Sequence, residues 1–141
     1  MNKIIVILAL AFLISCTTEE KALDYYEIIF KNNSQVDFNI KIYNKDGTTE
    51  MNQNVSHSAV TNSIQRSNKG FGGFNATIDS IVVRFANGKG YKCVDFWGST
   101  DSKCFLSKSS PLSDDVTSFV KDGSTYIYIV TEQDFQNAFD L

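Results

Sequence analysis

The sequence predicts a mainly β domain, two antiparallel sheets packed face to face, with a short C-terminal helix. Three observations carry this expectation. Apolar residues recur with period two, short strand-like runs are punctuated by Asn, Asp and Gly, and an aromatic run near the end is followed by a helix-start signal. Period two matters because successive side chains of a strand point to opposite faces, so a half-buried strand alternates apolar and polar.

Residues 25–31 are a compact apolar and aromatic run. Asn32-Asn33-Ser34 then supplies turn chemistry before Val36, Phe38, Ile40 and Ile42 alternate, so these two segments are expected to pair antiparallel. Asn44-Lys45-Asp46-Gly47 closes the second strand, because Gly, Asn and Asp tolerate the backbone of tight turns. Residues 48–70 are polar, with Val55, Val60 and Ile64 as anchors, and predict loops with one weak strand. Gly70-Phe71-Gly72-Gly73-Phe74 has little backbone constraint and predicts a mobile loop or a bulged edge.

Residues 77–85 give the clearest strand, with Ile81, Val83 and Phe85 on one face, and Asn87-Gly88 turns the chain back toward Tyr91, Cys93 and Phe96. A three-residue loop that pairs Phe85 with Tyr91 and Val83 with Cys93 keeps core and solvent faces separate, so that register is expected. Phe105-Leu106 continues as a strand, Pro111 interrupts the next segment, and Ser113-Asp114-Asp115 can open one helical turn. Asp122-Gly123 turns into residues 126–130, continuous enough in aromatic and β-branched side chains for a central strand. Thr131 and Asp134 have the spacing of a capping box, which predicts a helix over 132–139 with Phe135 and Phe139 facing the sheets. Together these elements suggest an immunoglobulin-like or transthyretin-like sandwich.

Met1-Asn2-Lys3 is a short positive segment, and residues 4–14 are an apolar run too short for a permanent membrane span. Leu13-Ile14-Ser15-Cys16 comes next: a branched aliphatic, a tolerated position, a small residue, then cysteine. This resembles the bacterial lipobox. The resemblance implies cleavage before Cys16, a diacylglycerol thioether on its sulfur and a further acyl chain on its amine, enough to anchor stably. It divides the chain into a signal peptide at 1–15, a lipidated tether at 16–23 and a β-sandwich domain at 24–141. Thr17 in place of Asp after the cysteine resembles the sorting pattern for the outer membrane. Glu19-Glu20 resembles the export tag of surface lipoproteins in Bacteroidota, which leaves both the cell surface and the periplasmic face open.

Removing 15 residues from 141 leaves 126, which fits one domain. With 43% hydrophobic, 13% aromatic and 21% charged residues, the chain can bury a core and is expected to fold. The formal charge of −3 becomes −4 once Lys3 leaves with the leader, and the basic residues are scattered singly. That disfavours nucleic acid, whose binding draws on clustered Lys and Arg. After Cys16, Cys93 and Cys104 form an even pair in an exported chain, which predicts a disulfide contributing about 2–3 kcal/mol through loop closure.

No catalytic residue, metal or cofactor is nominated. His57 is the one histidine, in Val55-Ser56-His57-Ser58, with no nucleophile elbow and no orienting carboxylate in view. One His and an oxidised pair of Cys leave too few ligands for zinc. Asn44, Asp46 and Glu50, and separately Asp114 and Asp115, are oxygen donors without calcium-loop spacing, and turn chemistry accounts for both clusters. The candidate binding residues are Trp97, within the loop that the disulfide would close, and Phe71 and Phe74 in the glycine-rich segment; each can be an exposed contact or a core plug.

Lys31-Asn32-Asn33-Ser34 after the opening strand and Thr131-Glu132-Gln133-Asp134 after the closing one resemble small envelope lipoproteins of Bacteroidota. The resemblance implies fold and address. The expected function is a membrane-anchored, non-enzymatic module that binds a protein or a glycan, using loops on a rigid scaffold. A structural or assembly subunit of the envelope, or an inhibitor or immunity protein, is the alternative.

Overall fold

The computed structural model describes residues 22–74, 77–94 and 103–141. Among these described residues, nine strands form two sheets. In chain order they are β1 (Asp24–Asn33), β2 (Phe38–Asn44), β3 (Thr49–Val55), β4 (Ile64–Asn68), β5 (Ile78–Phe85), β6 (Lys89–Val94), β7 (Val120–Asp122), β8 (Thr125–Thr131) and β9 (Phe139–Asp140). The first sheet runs β4-β1-β8-β7 and the second β3-β2-β5-β6-β9, a sandwich of mostly antiparallel strands that does not close into a barrel. The exception is β1 with β8, a parallel pair in register from Glu27 opposite Thr125 to Asn33 opposite Thr131.

The opening segment and its neighbour were expected to pair, and they do not. β1 and β2 lie in different sheets, and the chain crosses between them at Ser34–Asp37. Asn32 makes that crossing. Its buried side-chain amide donates to the carbonyls of Val36 and Val55, and its side-chain oxygen accepts from the amide and hydroxyl of Ser34. A turn-forming triplet is here a bridge from one sheet to the other.

Residues 48–70 hold two strands, β3 and β4, rather than one. Both are edge strands and point few apolar side chains inward: Met51 and Val55 from β3, Ile64 from β4. Val60, expected as an anchor, is 47% exposed. The β5–β6 hairpin does turn through three residues, but the register sits two positions from the expected one, with Val83 opposite Tyr91 and Ile81 opposite Cys93. A shift of two keeps every side chain on its face, so the pattern of faces survives.

The core lies between the sheets. Tyr26, Ile28, Phe30, Tyr128 and Val130 come from the first sheet and meet Phe38, Ile40, Ile42, Ile81, Val83 and Phe85 from the second. Each such side chain, once buried, contributes about 1.5–3 kcal/mol. Phe105 was expected in a strand; it lies in an irregular segment, joined to β6 by one bridge between Lys103 and Lys92, while Leu106 is 74% exposed. Phe105 stacks on Tyr91 at 4.1 Å and meets Tyr128 edge-on at 5.2 Å, so side-chain packing replaces backbone pairing there. The disulfide between Cys93 and Cys104 pins the start of this segment to β6, with Cα atoms 4.5 Å apart.

The capping box is present. The Thr131 hydroxyl accepts from the Asp134 amide, the Asp134 carboxylate accepts from the Thr131 amide, and α1 (Glu132–Gln136) begins there. The helix ends three residues earlier than the spacing predicts. Phe135 meets Phe85 at 5.1 Å as expected, whereas Phe139 belongs to β9 and meets Tyr91 edge-on at 5.9 Å. Asp134 also receives the Lys108 ammonium at 2.6 Å, and Lys108 donates to the Ile129 carbonyl and sits over the rings of Phe105 and Tyr128. This buried ion pair ties the 103–119 segment to α1.

Candidate binding site

The glycine-rich segment does not present its two phenylalanines alike. Phe74 is fully buried, stacked 6.1 Å from Phe30 with the Arg66 guanidinium 5.8 Å from its ring centre, which removes it as a contact residue. Phe71 is half-buried: it stacks on Tyr126 at 4.1 Å and lies 5.0 Å from Phe119 and 5.3 Å from Tyr26. The segment is tied down rather than loose, because the Tyr26 hydroxyl donates to the Gly73 carbonyl at 2.7 Å and accepts from the Gly72 amide at 3.3 Å. Burial raises the pKa of that hydroxyl, as its supporting role allows. Gly73 has φ +58°, and a Cβ there would lie 2.6 Å from the Ser113 carbonyl oxygen, so the close passage of the two loops requires glycine. Trp97 and Cys16 lie outside the described residues.

Around Phe71 the sandwich end is concave. A groove of about 390 Å³ is lined by Asp24, Tyr25, Phe71, Lys121, Ser124 and Tyr126. The Lys121 ammonium lies 5.5 Å from the Tyr126 ring centre. A second groove, of about 310 Å³, is lined by Tyr25, Gln65, Arg66, Ser67 and Thr77. Tyr25 borders both and is 77% exposed, so its ring is a ridge between two polar hollows. The sequence did not single out Tyr25. In β1 the buried residues are Tyr26, Ile28, Phe30 and Asn32, which turns Tyr25 outward, but a continuous apolar run gives no such parity.

Arg66 pairs with Glu50 at 3.3 Å across the open side of the sandwich, where β3 and β4 are the edge strands of their sheets. That side holds a concavity of about 540 Å³ lined by Glu50, Asn52, Gln53, Asn62 and Gln65 among others. The oxygen donors weighed for calcium serve their own turns. Asp46 accepts from the amide and hydroxyl of Thr48, which hold its carboxyl below the usual range, and Asp115 accepts from Ser109 and Thr117 with the same effect. Asn44 turns its amide, not its oxygen, toward Glu50.

His57 is exposed on the turn after β3. Its Nδ1 faces the Ser34 carbonyl, an acceptor only, so that nitrogen carries the proton and Nε2 is left to accept from the Ser58 hydroxyl at 3.0 Å. Ser58 has φ 64°, unusual outside glycine. The pair resembles a nucleophile with its base, yet the Ser58 and Ala59 amides, the nearest donors for an oxyanion, are spent on the Asn32 and Ser56 carbonyls. Asp37 accepts from the His57 backbone amide, not from the ring. No protein-family model, no curated protein and no solved structure matches the chain.

Proposed function

We propose that the chain is a lipid-anchored, non-enzymatic binding module of a bacterial outer membrane, which holds a glycan at the Tyr25 end of the sandwich. The observation that carries this reading is the 77% exposed Tyr25 ring between two polar grooves. A sugar ring offers an apolar C–H face and a polar rim. An aromatic platform takes the face, while Gln65, Arg66 and Ser67 on one side and Asp24, Lys121 and Ser124 on the other suit the hydroxyls. The arrangement also suits a protein loop, the second partner class the sequence leaves open.

The anchor is argued from the leader and Cys16. β1 begins at Asp24, eight residues after that cysteine, so a fully extended tether reaches at most about 29 Å. The Tyr25 end is therefore held within that reach of the anchored cysteine, on either the periplasmic or the cell-surface side. The test is an array of bacterial envelope glycans probed with the full chain and with Tyr25→Ala. Binding by the wild type that falls about tenfold or more in the variant supports the reading. A wild type that binds no glycan, or a variant that binds equally well, rejects it. A fatty-acid label that does not depend on Cys16 rejects the anchor.

A further inference from the structure

The outer face of the first sheet is apolar at its centre. Along β1 and β8 the core takes Tyr26, Ile28, Phe30, Tyr126 and Tyr128, which turns Ile29, Ile127 and Ile129 to the outside. Ile29 lies opposite Ile127 and Ile127 opposite Val120, so three β-branched side chains form a row across β1, β8 and β7. In the next row Ile129 lies opposite Lys31, which bridges to Val60. Val120 and Val60 are 51% and 47% exposed. The solvated face of a sheet ordinarily carries polar residues at such positions, and a contiguous apolar patch marks an interaction surface.

The charges beside the patch say what fits it. Outward residues of β1 run Glu27, Ile29, Lys31, an acid and a base one outward step to either side of the isoleucine. Turning a second copy by half a rotation about an axis through Ile29 lays each Glu27 on the Lys31 of the other copy and each isoleucine on its own equivalent. That self-complementarity is what a twofold interface requires. We infer that the outer face of the β1–β8 pair is an interface between two copies of this chain, with the twofold axis at Ile29. The face is four strands wide, but only β1 and β8 run seven residues or more, against five in β4 and three in β7. Two copies then bury on the order of 700 Å² in total, well below a standard interface and in the range of a weak, transient contact. Tyr25 lies one outward step beyond Glu27 on the same face, so the glycan site borders this surface, and Gln65, opposite Glu27, belongs to the edge of both.

The test uses the full chain exported from a bacterial host. Ile29→Cys places a thiol on the axis, facing its own copy across sheets about 10 Å apart, too far for a direct disulfide, and is expected to give a covalent dimer with a short bismaleimide cross-linker. Asn52→Cys, exposed on β3 of the other sheet, is expected to give none. In the Ile29→Cys background, Glu27→Lys and Lys31→Glu each set like charges opposite one another twice, which should lower the dimer fraction about tenfold. The double swap restores opposite charges and the dimer, while an unchanged melting temperature shows that each variant folds. An Ile29→Cys chain that stays monomeric, an equal dimer from Asn52→Cys, single swaps without effect, or a cross-link to a different protein would overturn the inference.

Discussion

Asn32 shows how much one polar side chain can hold. It is fully buried at the end of β1 away from Tyr25, and its amide and oxygen satisfy four partners on both sides of the inter-sheet crossing. Asn32→Ala would leave the Ser34 amide without its acceptor and take a donor from the Val36 and Val55 carbonyls, while the Ser34 hydroxyl keeps the Val36 carbonyl, at about 2–3 kcal/mol. Asn32→Asp keeps the shape but loses both donors, so urea unfolding should show both variants destabilised, the aspartate no less than the alanine.

Tyr91 makes a pH-dependent contribution. Burial, with the nearby Asp134 charge, pushes its hydroxyl from 10 up to about 12, and the hydroxyl donates to the Asp134 carbonyl at 2.6 Å. The folded state therefore keeps a proton that the unfolded chain releases. Its stabilising contribution is complete below pH 10 and lost as pH rises from 10 through 12. Tyr128 is pushed up further by the same causes and acts in the same direction. Denaturant midpoints taken between pH 9 and 12 should fall with rising pH, and Tyr91→Phe should show a shallower fall from a lower starting stability.

At the scale of elements, the segment 103–119 has almost no backbone pairing and is held by side chains. The disulfide fixes its start, and Lys108 fixes its middle to Asp134, which also caps α1. Burial lowers the Lys108 pKa, while the hydrogen bond and charge of Asp134 oppose that shift. Asp134→Ala removes the cap and leaves the ammonium without its carboxylate. A loss of about 3–5 kcal/mol is expected, against less for Lys108→Met, which fills the space and leaves the Asp134 carboxylate its hydrogen bonds from Thr131 and Ser107. Thermal melts of the two single variants separate these outcomes. Reduction of the disulfide should cost about 2–3 kcal/mol, read as a drop in melting temperature with reductant.

Local elements were legible where the signal was local. The Thr131–Asp134 capping box, the turn at Asp122-Gly123 and the alternation of Ile81, Val83 and Phe85 all depend on neighbours within a few residues. β3 and β4 were not legible, because an edge strand points few residues inward and reads as polar loop. The hairpin register was two positions off for a related reason: alternation fixes the face of a strand but leaves shifts by two equivalent.

Over the whole molecule, the chain sets a fold class by its periods and turns. Apolar residues with period two, broken every few residues by Asn, Asp or Gly, can satisfy both burial and backbone hydrogen bonding only as stacked sheets, and an even pair of cysteines one short loop apart can join. These features the sequence determined by itself. Which strands are neighbours was decided only by tertiary structure. β1 finds β8, about a hundred residues later, in preference to β2 next to it, since the Asn32 bridge and a two-layer core bury more than a simple hairpin could. The same choice set the surfaces. It buried Phe74, half-buried Phe71, turned Tyr25 into a ridge and laid Ile29 beside Ile127, because the face a residue shows depends on partners that pairing over long sequence distances supplies.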